Sequence, residues 1–171
     1  ISELGKKLET ANDIPGTLGI GHTRWATHGG VTELNAHPHT DCSQNIWVAH
    51  NGIIENYREL KETLEQHGHI FYSETDTEVL GHLFEEEQAQ MKCSFAEAVR
   101  LGLAKIKGTY GIVAINASDP TTLIAARNFS PLLFGIGNDE YIVASDASAV
   151  LAHTRHIVYL DDGEMAVLTQ S

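Results

Sequence analysis

The spacing of apolar positions along the chain changes period several times, and each change marks a boundary between elements. Ser2 to Thr10 keeps Leu4 and Leu8 four residues apart, a short helical stripe. Asn12 to Gly16 reads as a turn closed by Pro15-Gly16. Thr17-Leu18-Gly19-Ile20-Gly21 then predicts a buried strand, and between Gly29 and Asn45 no period holds. Ile46 to His50 predicts a second short strand, ended by Asn51-Gly52. That dipeptide ordinarily makes a tight hairpin turn, but Ile53-Ile54 is too short to return as a strand, and a helical pattern follows. Asn56 and Glu59 have the spacing of a capping pair, Tyr57, Leu60 and Leu64 mark one face, and Gly68 is a suitable stop. His69 to Ser73 predicts a third strand. Thr75 and Glu78 then open a helix whose buried stripe is Val79, Leu80, Leu83 and Phe84, and Ser94 and Glu97 repeat the box ahead of Val99, Leu103 and Ile106.

Beyond Gly108 the period shortens to two. Tyr110–Ala117, Thr122–Arg127, Leu132–Ile136 and Tyr141–Ala144 predict four short strands at meander spacing. A short helix over Ser145–Ala152 follows, and then strands over Ile157–Leu160 and Glu164–Leu168 around Asp161-Asp162-Gly163. Two strand-rich blocks separated by paired helices predict an α+β fold with helices on the outsides of mainly antiparallel sheets. The 171 residues suffice for one domain, spanning 1–171.

Charge narrows the range of partners. Eleven Lys and Arg against 23 Asp and Glu leave a net charge of -12. That argues against nucleic acid or an anionic membrane, both of which require a basic surface. No apolar run approaches the ~20 residues needed to span a bilayer. Cys42 and Cys93 make no disulfide framework, so a reducing cytoplasm is the expected setting. The chain begins Ile1-Ser2-Glu3 and not with Met, which leads to the expectation that something lies upstream.

Four features could carry chemistry. His22-Thr-Arg-Trp-Ala-Thr-His-Gly-Gly30 places a guanidinium and an indole at the end of a strand, hinged on glycine. Arg24 offers a planar fork to a carboxylate and Trp25 a lid that excludes water; the alternative is a structural salt bridge. At Asn51-Gly52 a side-chain amide and a backbone N–H could converge on one oxygen as an oxyanion hole. Asp76 is either a first-turn helix acid or the counter-charge for a ligand ammonium. Among the ten histidines, His37-Pro38-His39 could ligate zinc with His50, although Pro38 breaks the strand geometry that would align them. Cys42 and Cys93 each lack the base and orienting partner of a nucleophile and read as ordinary thiols. Together these groups suit an amino acid attacked at a side-chain carbonyl, with the attacking group not visible in the sequence.

The segments His22–Gly29, Asn35-Ala-His-Pro-His39, His50-Asn-Gly-Ile-Ile-Glu-Asn56 and Ser73-Glu-Thr-Asp-Thr-Glu78, in this order, resemble the glutaminase domain of the glutamine–fructose-6-phosphate aminotransferases, within the class II glutamine amidotransferases. The likeness runs the length of the chain. It implies the four-layer αββα sandwich of the N-terminal-nucleophile hydrolases, incomplete here at its N-terminus. It also implies that Arg24 binds the glutamine α-carboxylate, with Trp25, Thr27 and His28 in the closing flap. Asp76 would then hold the α-ammonium, and Asn51 and Gly52 would stabilise the oxyanion. The family's nucleophile, a cysteine at the mature N-terminus with its own α-amine as base, is not in this sequence, and neither is the sugar-phosphate isomerase domain. The resemblance therefore implies an inactive fragment of an enzyme that passes ammonia from L-glutamine to fructose 6-phosphate. It implies no cofactor and no metal, and it leaves room for a homodimer in the intact enzyme. Two rival readings are a non-catalytic glutamine-binding module and a metal amidase built on His37, His39 and His50.

Overall fold

The computed structural model describes residues 5–7, 16–24 and 29–169. Its strands are β1 (His39–Thr40), β2 (Ile46–Ile54), β3 (Gly108–Asn116), β4 (Asp119–Asn128), β5 (Leu133–Ile136), β6 (Tyr141–Ala144), β7 (Ile157–Tyr159) and β8 (Met165–Thr169). Its helices are α1 (Tyr57–Gln66), α2 (Glu78–Met91) and α3 (Phe95–Leu103). The strands form two sheets, ordered β1-β2-β3-β4-β8 and β6-β5-β7, and every ladder is antiparallel.

Period-two alternation sorts side chains onto the two faces of the larger sheet. One face carries Ile46, Val48, Ile54, Tyr110, Ile112, Ala114, Ile124 and Ala126, all buried against Leu64, Val79, Leu80, Leu83, Phe84, Phe95 and Val99 of the three helices. Full burial of a side chain such as Phe84 or Leu80 contributes about 2 kcal/mol by area. Gly102 lets α3 close on α2, because a Cβ there would stand 2.7 Å from the Phe84 ring. The opposite face, with Val113, Leu123 and Ala125, packs against Leu132, Phe134, Val143 and Leu160 on the side of the smaller sheet. Outside that sheet lies a 3-10 turn over Ala147–Ala149, whose neighbour Val150 fills the space above Gly135. Helices, sheet and sheet are thus stacked in layers around two cores, an α+β architecture.

Several expectations require correction. The four strands after Gly108 do not form one meander; β3 and β4 belong to the larger sheet and β5 and β6 to the smaller. Thr17–Gly21 pairs with no strand among the described residues, although Leu18, Ile20, His22 and Arg24 alternate inward as a strand's would. His69–Ser73 is not a strand either. The N–H groups of Tyr72 and Ser73 donate to the Glu78 carboxylate at 2.8 and 2.7 Å, where a ladder partner would have stood. This use of Glu78 also displaces the capping box, and the N-cap of α2 is Thr77, not Thr75. Asn56 sits at the N-cap of α1, yet its side chain bridges Lys105 O and Lys107 N. Ser94 caps α3 as expected, accepting from Glu97 N at 3.3 Å. Of the expected first helix, Gly5–Lys7 is helical, and the rest lies outside the described residues.

Candidate functional site

Asn51 and Gly52 stand inside β2, which runs on to Ile54 without ending at His50, and they pair with Gly111 and Tyr110. Only glycine fits at 52. Its φ is +127°, and a Cβ there would lie 2.1 Å from the carbonyl oxygen of Thr109 on the neighbouring strand. The Asn51 side chain meets the incoming segment, with its Oδ1 2.7 Å from His22 Nε2. His22 Nδ1 accepts from Arg24 N at 2.8 Å, so the ring proton sits on Nε2 and is donated to Asn51. With its oxygen occupied in this way, Asn51 presents its NH2 group as the outward donor.

Arg24 adopts a left-handed backbone, φ 45°, a conformation that costs a non-glycine residue about 1 kcal/mol or more and that clusters at functional sites. Its Nη1 donates to Gly30 O at 3.0 Å. The buried Asn35 organises the same corner. Its Nδ2 donates to Gly30 O and to Glu74 Oε2, while its Oδ1 accepts from Glu74 N at 2.9 Å. Gly30 N also donates to Glu74 Oε2, and these two donors hold the exposed Glu74 carboxyl below its ordinary range. Gly29 has φ +74°, and a Cβ there would fall 2.7 Å from Asn35 Nδ2, so the glycine pair docks where a side chain would not fit. Trp25, Thr27 and His28 lie outside the described residues.

Asp76 is 3% exposed and is not the helix cap. Its Oδ2 accepts from Ile54 N at 2.7 Å, tying the approach to α2 to the end of β2. Between the Arg24 and Asp76 regions lies a row of imidazoles. His22 stacks on His37 at 4.4 Å, and His39 meets the His37 edge at 5.0 Å. His39 Nε2 is 3.0 Å from Thr75 Oγ1, and His50 Nδ1 is 3.0 Å from Thr77 Oγ1. Burial first, and then the neighbouring His22, His39, His50 and Arg24, lower the His37 pKa to about 3. Burial lowers His39 as well; Glu78 and Asp76 oppose that shift and Arg24 and His22 add to it, so Arg24 and Asp76 act on one ring with opposite sign. Glu78 is held at about 2. Burial works against its charge, but His82 and hydrogen bonds from Ser73 and Tyr72 outweigh it.

This arrangement offers a guanidinium, a buried carboxylate and an amide donor around a row of imidazoles. It does not offer a metal site at His37, His39 and His50. Their ring nitrogens are engaged with His50 N, Thr75 and Thr77, and among the described residues these three do not converge. Cys42 faces His69 and His82, with its thiol pushed up by burial and by Glu85, and Cys93 rests on the Glu87 carbonyl. Neither sulfur is among the groups at Asn51. A cleft of about 650 Å³, lined by Leu18, Pro120, Leu123, Tyr141 and Leu168 among others, shares no residue with this constellation. Sequence reasoning did not single out Asn35, Glu74 or the role of His22. The signal for Asn35 and Glu74 was their presence inside two of the matching motifs.

The family profile of the glutamine amidotransferase domain matches residues 22–152. Over 171 residues the chain is 53% identical to a glutamine–fructose-6-phosphate aminotransferase (isomerizing) of Methanothermobacter thermautotrophicus, covering 98% of this chain and 28% of that protein. It is 47% identical to the protein of the same name from Bacteroides thetaiotaomicron, covering 99% and 28%. Among solved structures, the glutamine phosphoribosylpyrophosphate amidotransferase of B. subtilis superposes with a TM-score of 0.70 at 30% identity, over 86% of this chain and 32% of that one. The chain thus spans less than a third of the length of these curated relatives.

Proposed function

The chain belongs to the glutamine amidotransferase domain family, and from that premise we propose that it binds L-glutamine by its two charged ends and stabilises the oxyanion formed at its side-chain amide. Arg24 receives the α-carboxylate in a two-pronged hydrogen bond, and Asp76 faces the α-ammonium. Asn51 Nδ2 and the N–H of Gly52 donate to the γ-oxygen as the amide carbon becomes tetrahedral. Trp25, Thr27 and His28 belong to the flap that closes once the carboxylate is in place.

The observation that carries this reading is the hydrogen-bonded relay Arg24 N–His22–Asn51 Oδ1, which links the carboxylate-binding residue to the oxyanion donor through one ring. In the reaction a thiol yields its proton to a base and the thiolate adds to the γ-carboxamide carbon. The base returns that proton to the amide nitrogen as the C–N bond breaks and ammonia leaves, and water cleaves the resulting γ-glutamyl thioester to glutamate and thiol. Neither Cys42 nor Cys93 supplies that thiolate. We assign it to the family's N-terminal cysteine, which is not a residue of this sequence. The likeness to aminotransferases of that name supports fructose 6-phosphate as the ammonia acceptor, handled by an isomerase domain beyond this single glutaminase unit, in the cytoplasm and with room for a homodimer.

Glutaminase assays on the full-length protein test the reading. Arg24→Lys and Asp76→Asn are expected to raise the KM for glutamine at least tenfold, and Asn51→Ala to lower kcat by about 10²–10³. Glutamine binding by a full-length protein that never releases glutamate would instead establish a non-catalytic binding module.

A further inference from the structure

Four potential metal ligands from three separate segments, two of them on α2, point at one another. Cys42 Sγ is 3.6 Å from His69 Nδ1 and 3.4 Å from His82 Nδ1. The two Nδ1 atoms are 3.3 Å apart. Glu85 Oε2 lies 3.3 Å from His69 Nδ1 and 4.0 Å from His82 Nδ1. A zinc ion with bonds of about 2.3 Å to sulfur and about 2.0–2.2 Å to nitrogen and oxygen has tetrahedral edges of about 3.3–3.6 Å. Four of these five edges fall in that range, and the fifth is a few tenths of an ångström beyond it. The sixth, from Cys42 Sγ to Glu85, lies within the 4.8 Å that spans all four donors.

We propose that Cys42, His69, His82 and Glu85 form a closed tetrahedral site for a divalent transition metal, zinc by the chemistry of its donors.

Three further features support it. The first is the outer shell. His69 Nε2 is 3.2 Å from Glu86 Oε2, so the ring's proton is held on Nε2 and its Nδ1 lone pair faces the centre. His82 repeats the pattern less tightly, with Nε2 fully buried, 3.7 Å from Glu78 Oε1 and without a hydrogen-bond partner among the described residues. The second is charge. A thiolate and the Glu85 carboxylate bring two negative charges that one divalent ion neutralises, and Cys42 gives up its proton to solvent on binding. The third is how the chain is shaped to deliver the ligands. Asp41 accepts from Asn45 N, Ile46 N and Ser43 Oγ, which folds the turn that carries Cys42. Gly81 then allows that turn to lie directly on α2, since a Cβ there would be 3.1 Å from Asp41 N and from the Thr40 carbonyl carbon. Four protein ligands leave no open position for substrate, so the ion is structural, a clasp that fixes the β1–β2 turn and the 69–73 segment to α2.

The test is metal analysis of the full-length protein purified without chelators. About one zinc per chain is expected, retained on dialysis. Cobalt exchanged into the site should show an intense tetrahedral d–d spectrum and a near-ultraviolet thiolate-to-cobalt band. Cys42→Ser should abolish that band and weaken zinc binding at least about 100-fold, and Glu86→Gln should weaken it about tenfold through His69. A protein that takes up no stoichiometric zinc overturns the proposal, as does a cobalt spectrum lacking the thiolate band. The cobalt spectrum of the unsubstituted protein decides the matter even where a variant fails to fold.

Discussion

If His22 acts on the reaction only by orienting Asn51, then removing both side chains should cost no more turnover than removing Asn51 alone. The hydrogen bond at stake is 2.7 Å long and partly buried. Such a bond contributes about 1–1.5 kcal/mol, so an Asn51 amide released by His22→Ala should stabilise the oxyanion less by about that amount, roughly a tenfold fall in kcat. Asn51→Ala removes the donor itself and should cost about 10²–10³ in kcat. In the double variant the His22 contribution has nothing left to act through. Its kcat should equal that of Asn51→Ala, giving a coupling of about 1.4 kcal/mol.

The second contact of His22 separates this role from simple loosening of the fold. Its Nδ1 holds Arg24 N at 2.8 Å. The KM for glutamine should therefore rise several-fold on His22→Ala in both backgrounds, because Arg24 is released whether or not Asn51 is present. The assay is steady-state glutamate release by the four full-length proteins, with active-site titration to correct for the folded fraction. A double variant about tenfold slower than Asn51→Ala would mean that His22 acts independently, and the relay would be wrong.

Gly52→Ala should destabilise the protein by about 3 kcal/mol or more, read from its urea midpoint, since its Cβ falls 2.1 Å from Thr109 O and the β2–β3 ladder must open. Acid should destabilise the fold in two stages. Below pH 6.5 the unfolded chain protonates His37 while the folded one, with its pKa at about 3, does not; below 4.5 the same holds for Glu78, whose folded pKa is about 2. The stability given by each group is complete above its unfolded pKa and is lost as the pH falls toward the folded value. His37→Gln should lessen the dependence of the urea midpoint on pH from 6.5 down to about 3 and retain the steepening that Glu78 adds below 4.5; His39 and His50, lowered in the same direction, keep part of the slope. Asn35→Ala should raise the KM for glutamine while leaving kcat within a few-fold, because it unties Gly30 and Glu74 and does not reach the oxyanion donor; an equal fall in both would relocate its role.

Strands in the second half of the chain are legible because each is a short, mainly apolar run with glycine, proline or aspartate within two positions of an end. Tyr141–Ala144 matches residue for residue, and the Ser94 cap bonds as its spacing predicts. What was hidden depends on residues far away in the chain. The departure of β5 from β4 takes place over Phe129 to Pro131, where Phe129 turns with φ 62°, a conformation that no local pattern announces for an aromatic residue. Asn51-Gly52 reads locally as a turn, and only the approach of Thr109 makes it the interior of a strand. His69–Ser73 has a strand's composition, but a side chain, Glu78, satisfies its N–H groups.

The same distinction separates the two clusters of polar groups. Arg24, Asn51 and Asp76 lie in contiguous motifs, so residue type and order within each stretch were enough to select them. Cys42, His69, His82 and Glu85 are spread over more than forty positions, and only His82 and Glu85, one helical turn apart on α2, share a local pattern. Yet both clusters meet on one element. The approach to α2 carries Asp76, bound to the end of β2, and a turn into the helix His82 and Glu85 grip the turn that follows β1 and the segment that leads back to Ser73. Asp76 is therefore tied to the end of β2 in front, and the proposed clasp would steady the helix that follows it. If Asp76 meets the glutamine ammonium as proposed, such double support keeps its carboxylate in place, where one hydrogen bond of about 1 kcal/mol would not.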